Sequence, residues 1–150
     1  MNELGATEII YQNHIREKRV ITDSIYKNYR YMITDNGNNP CAYIQLPSNH
    51  VCSNLVIEVI KTSQGGYSEL WEKFANMIPV HGGLTYADYD PLFKTIVWIG
   101  WDYAHYPIDY SGVLGDGYKK WTLEEIRQEV FEAIKKLIIL NKSKKTHNKR

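Results

Sequence analysis

Apolar and polar positions along the chain form several short β-like runs followed by one long helical stripe. Residues 20–34 (VITDSIYKNYRYMIT) are rich in β-branched and aromatic side chains, with tyrosines at 26, 29 and 31. Residues 35–40 (DNGNNP) read as a tight turn, because Asn36-Gly37 favours the positive φ that a short hairpin needs. Residues 41–46 (CAYIQL) are then the return strand of a first hairpin, ended by Pro47. The run NLVIEVI at 54–60 is apolar and β-branched, and periodicity leaves open a strand or a short buried helix. Gly65-Gly66 breaks the pattern. Ser68 can cap a short helix over 69–77 that places Leu70, Phe74 and Met77 on one side.

The stretch from 79 to 109 reads as a second hairpin. Its expected parts are a strand at 80–86, a turn at 87–93 (ADYDPLF) and a strand at 94–102. Pairing Tyr86 near Lys94 sets His81 opposite about Ile99, roughly 10 Å from Asp102 at ~3.3 Å per residue. A small register shift brings them closer, and His105 lies just beyond Asp102. His81, Asp102 and His105 are therefore expected to converge at one end of this hairpin.

After an irregular, glycine-rich segment comes the clearest element. Thr122 and Glu125 form a capping box, in which each side chain satisfies the other residue's orphan amide. Leu123, Ile126, Val130, Ile134 and Leu137 follow at helical spacing as one apolar stripe. Acidic residues come early and lysines late, as the helix dipole favours. The pattern predicts a helix over 122–140. It also predicts one α+β domain over 1–141: an antiparallel sheet built from hairpins, with the C-terminal helix packed on one face. Residues 142–150 carry five Lys or Arg and no acid. They are expected to be a basic, disordered tail.

Composition narrows the function classes. A chain of 150 residues is enough for one core. No run approaches the ~20 apolar residues of a membrane span. The N-terminal MNELGATEII has no basic-then-apolar signal, so a cytoplasmic location is expected. A net charge of +1 gives no overall pull toward duplex nucleic acid. Cys41 and Cys52 are too few for an all-cysteine zinc site and too far apart for a CxxC pair, which leaves them as small buried hydrophobes. The compositional outlier is aromatic: 12 tyrosines and 4 tryptophans. Such residues suit ring-stacking pockets, a homo-oligomer interface or half-buried sheet.

His81 precedes Gly82 and Gly83, which either let a ligand approach or serve a bend that needs positive φ. Asp102 can orient His105, and His81 with His105 can divide the roles of base and acid in phosphodiester cleavage. Thr85, at period two from His81, can donate to a phosphate oxygen. The alternative is that these histidines are structural and hold backbone carbonyls at a sheet end. His50, His81, His105, Asp102 and Cys41 include ligand types for zinc or manganese, but at no recognised short spacing. Divalent metal stays open, and no cofactor motif is present: there is no GxGxxG, GxxxxGK[ST] or GxSxG. Tyr86, Trp98, Trp101 and Tyr103 are the expected walls of the site.

VHGGLTY at 80–86, WIGWDYAH at 98–105, Asp109 and then a capped helix resemble a family of small phage-encoded proteins. Its members carry a CGYV-like strand, a loop His, an HGG-[LI]-T-[YF] motif and a G-F-D-C-A-H motif followed by Gly-Asp. The corresponding residues here are Cys41 to Ile44, His50, His81 to Tyr86, and Gly100 to His105 with Asp109. Tyr103 stands where the family has Cys, Trp101 stands for Phe, and Pro107-Ile108 lengthens the step to Asp109. The resemblance implies counter-defence against a nucleotide-derived immune signal. Three readings follow. The first is a phosphodiesterase with His81, His105 and Asp102 as its catalytic set. The second is a non-catalytic sponge that binds such a nucleotide, and in both readings His50, Gly82, Gly83, Thr85, Tyr86, Trp98, Trp101, Tyr103 and Asp109 are the expected ligand contacts. The third is a protein–protein inhibitor of a host defence enzyme.

Overall fold

Alternation and turn chemistry lay down an antiparallel sheet. The computed structural model describes residues 19–35, 39–62, 72–103 and 121–148, with side chains as far as Ser143. β1 (Arg19–Tyr26) and β2 (Tyr29–Asp35) form a hairpin. Residues 20–34, expected as one β-rich run, therefore split at Lys27 and Asn28, whose φ values of 49° and 72° make the tight turn. β3 (Pro40–Leu46) pairs back on β2 in the register Asp35↔Pro40, so the expected first hairpin is present. The open choice at 54–60 resolves as a helix, α1 (Ser53–Thr62).

β4 (Tyr86–Tyr89) and β5 (Val97–Asp102) follow, and the sheet order is β1-β2-β3-β5-β4, with every pairing antiparallel. β5 thus inserts between β3 and β4, and β4 takes the edge. The second hairpin exists, but its boundaries differ from expectation. Residues 87–89, expected in the turn, are strand, and 80–85, expected as strand, form a turn and an irregular lead-in. Tyr86 pairs with Gly100 and not with Lys94. Asp90 causes the difference. Its buried carboxylate accepts from the Leu92 and Phe93 amides at 3.0 and 3.1 Å, so the turn starts there and not at Ala87.

α2 (Leu123–Asn148) begins at the expected capping box. The Glu125 amide donates to Thr122 Oγ1 at 3.1 Å, and the Thr122 amide donates to Glu125 Oε1 at 3.0 Å. The helix does not stop near 140. No Gly or Pro interrupts it, and the backbone of 142–148 continues it where a disordered tail was expected. Of the helix expected at 69–77, residues 72–74 are helical and 69–71 lie outside the described residues.

One sheet face carries the main core. Tyr31, Ile33, Ala42, Ile44, Val97, Ile99 and Trp101 alternate onto it and meet Val56 and Val59 of α1 and Ile126, Val130, Ile134 and Leu137 of α2. Phe131 of α2 stacks on Tyr26 at 3.9 Å and meets Tyr31 edge-on at 5.7 Å. The opposite face holds a smaller cluster of Met32, Cys41, Tyr43, Tyr86 and Trp98.

Candidate functional site

The end of β5 is where the expected site residues come closest together. Strand alternation sends Val97, Ile99, Trp101 and Tyr103 toward the helices and Trp98, Gly100 and Asp102 to the other face. Tyr103 is held at its backbone too: its amide donates to the Pro40 carbonyl at 3.0 Å, and its carbonyl accepts from Asn39 Nδ2 at 2.9 Å.

His81 reaches this end from a tight turn. The Gly83 amide donates to the Val80 carbonyl at 2.9 Å, and Gly82 and Gly83 have φ of 71° and 81°. The glycines thus meet a conformational demand. The His81 ring lies flat on Tyr103, with centroids 5.0 Å apart and planes 7° from parallel. Trp121, just before the α2 cap, completes the group at 4.7 Å from His81 and 4.9 Å from Tyr103.

Glu129 of α2 ties these parts together. Its Oε1 accepts from the Tyr103 hydroxyl and from Trp101 Nε1 (3.2 Å), and its Oε2 accepts from the His81 amide at 3.0 Å. Trp101 Nε1 also donates to the Tyr103 hydroxyl oxygen at 3.0 Å. Trp101 and Tyr103 are each 1% exposed, so their polar atoms need these partners. Glu129 was missed in the sequence, although a signal exists. It lies three residues after Ile126 and four before Ala133, a carboxylate within the buried stripe of the helix. Trp121 was missed because it precedes the periodic pattern.

The remaining expected residues are dispersed. Asp102 accepts from the Thr85 hydroxyl at 3.3 Å, so Thr85 is turned toward a carboxylate where a phosphate oxygen was expected. Tyr86 and Trp98 belong to the cluster on the other sheet face, and Trp98 Nε1 donates to Asp90 Oδ1 at 3.0 Å. They do not wall the His81 end. His105 and Asp109 lie outside the described residues.

His50 is structural. Its Nδ1 accepts from the Cys52 amide at 2.9 Å, so Nε2 carries the hydrogen and donates to the Leu137 carbonyl at 2.9 Å. Leu137 lies eight residues beyond Glu129 on α2, about 12 Å along the axis at 1.5 Å per residue. His50 therefore stands apart from His81. Cys41 and Cys52 are buried and reduced, and burial pushes the Cys52 thiol up to about 11. Among the described residues, no group of three or more His, Cys, Asp or Glu is arranged to hold a metal ion. Nor is any helix among them long and apolar enough to cross a membrane.

The chemistry on offer is a partly exposed ring cluster whose buried polar atoms are already paired. No protein-family model matches the chain, and no curated protein or solved structure matches it.

Proposed function

We propose that the chain is a non-catalytic binder of a small nucleotide-derived signal, a sponge of the counter-defence kind that its resemblance to phage-encoded proteins implies. One observation carries this reading. His81, Tyr103 and Trp121 sit together with centroids no more than 5.0 Å apart, and the outer two, His81 and Trp121, are only partly buried. Every base has a π face, so a partly exposed ring cluster suits one without selecting among sequences.

Sequestration is preferred to cleavage on the geometry of His81 and Asp102, His105 lying outside the described residues. General acid–base chemistry needs a positioned proton-transfer pair. Asp102 alternates away from Tyr103 and receives the Thr85 hydroxyl, while the ring against His81 is Tyr103 and the carboxylate at its backbone is Glu129.

Tryptophan emission tests the reading, because Trp121 belongs to the cluster and the Trp101 indole is hydrogen-bonded to Tyr103. Titration with a panel of cyclic and linear nucleotide signals is expected to quench emission with at least one of them. Trp121→Ala is expected to weaken that ligand by about tenfold or more, the scale of one lost base–aromatic stack. No change in emission with any nucleotide would overturn the proposal and favour a protein partner.

A further inference from the structure

We infer that the cleft between α1 and the β4–β5 hairpin is a binding site for a small phosphorylated molecule with a flat moiety. The cleft measures about 490 Å³ and is lined by Ser48, Asn54, Ile57, Lys61, Tyr89, Lys94 and Thr95. That volume lies within the roughly 300–1,000 Å³ of small-ligand sites.

The lining has the composition such a ligand needs. Asn54, Ile57 and Lys61 recur at three- and four-residue spacing, so one side of α1 supplies one wall. Tyr89, the last residue of β4, supplies a half-buried aromatic ring opposite it. Ile57 and Tyr89 are the apolar side chains of the lining, against which a flat group can rest. Lys61 and Lys94 bring two exposed ammonium groups to the rim, and among the described residues none that lines the cleft is acidic. Neither lysine has an ion-pair partner among the described residues. Two unpaired cations on one cleft favour a dianion such as a phosphate monoester. Ser48, Asn54 and Thr95 add hydroxyl and amide groups that can bond sugar hydroxyls or phosphate oxygens.

This cleft is separate from the ring cluster. Tyr89 pairs with Val97 at one end of β5, and Tyr103 lies six residues on, about 20 Å at ~3.3 Å per residue. The inference therefore stands on its own geometry and survives or fails independently of the sequestration proposal.

Amide NMR of the full-length 15N-labelled chain tests it, with pyrophosphate, AMP and adenosine as probes. AMP is expected to shift amides at 54–61, 89 and 94–95, pyrophosphate a subset of them, and adenosine at equal concentration far less. The double variant Lys61→Ala/Lys94→Ala is expected to weaken AMP by about tenfold, or 1.4 kcal/mol. Lys136→Ala/Lys142→Ala, which removes the same charge from α2, is expected to leave AMP affinity unchanged. Equal AMP affinity in the Lys61/Lys94 variant and the parent would overturn the inference. Adenosine shifts as large as those of AMP, or AMP shifts confined to the surroundings of Tyr103 and Trp121, would overturn it as well. The last outcome would leave the sequestration proposal standing.

Discussion

Glu129 carries more of the site than any histidine does. Three donors converge on its carboxylate: the Tyr103 hydroxyl, the Trp101 indole and the His81 amide. Truncation takes the charged acceptor from the buried Tyr103 hydroxyl, while the Trp101 indole keeps the Tyr103 oxygen, at a cost of about 1–3 kcal/mol. Glu129→Ala is therefore expected to lower the unfolding free energy by about 2 kcal/mol in urea titration, and Glu129→Gln by less. A Glu129→Ala protein within about 0.5 kcal/mol of the parent would mean that the donors find other partners. The sequence holds this residue in plain view as a carboxylate inside an apolar stripe. The histidines drew attention first because their chemistry is richer, yet side-chain chemistry does not say whether a ring faces ligand or protein. His50 makes the point: as a loop histidine it suggested a ligand contact, while its two nitrogens join a loop amide to a helix carbonyl.

At the level of elements, register decides which side chains meet. His81 comes to the end of the second strand and stacks there on Tyr103, by a different route from the one the spacing suggested, while His105, the other histidine expected to converge there, lies outside the described residues. Tyr86 pairs with Gly100, six residues beyond Lys94, and this shift brings His81 to Tyr103. The turn residues of ADYDP were visible, but which aspartate caps the loop was not, since that depends on Asp90 also meeting Trp98 and Gln45 across the sheet. Close approach within the sheet gives a sharp prediction. A Cβ at Gly100 would lie 2.6 Å from Tyr43 Cδ1 and 2.7 Å from the Ala42 carbonyl oxygen. Gly100→Ala is expected to cost about 2–3 kcal/mol by overpacking, read as a lower urea midpoint. The β1–β2 turn predicts the opposite sign. Lys27 and Asn28 both hold positive φ, so Lys27→Asn/Asn28→Gly is expected to stabilise by about 1 kcal/mol. A fall in midpoint would show that the turn has another demand.

Across the whole molecule, the α+β class, the first hairpin, the capping box and the helix on the sheet were legible because each rests on a local pattern. The β5 insertion between β3 and β4 was not, because strand order is set by which apolar faces α1 and α2 cover together. The helix runs past the expected end since nothing in its sequence stops it. It is also fastened toward its C-terminal end, where the Val51 amide donates to Asn141 Oδ1 at 3.0 Å. Burial leaves a signature in pH. It raises Cys52 from an ordinary 9.0 to about 11, and it raises the Tyr29 and Tyr43 phenols as well. The folded state keeps these groups neutral where the unfolded chain ionises. Their contribution is therefore complete below pH 9.0 and is lost as pH rises toward about 11. The urea midpoint is expected to fall between pH 8.5 and 10.5, roughly the span over which free thiols and phenols ionise. A flat profile would mean that these side chains reach solvent.

The most direct test of sequestration is ligand recovery. The purified chain, in molar excess, is incubated with each nucleotide signal, and the solution is assayed before and after heat denaturation. Sequestration predicts that a signal disappears from free solution and returns with its mass unchanged on heating. A signal that returns as a cleaved product would contradict it and restore His81 to a catalytic role.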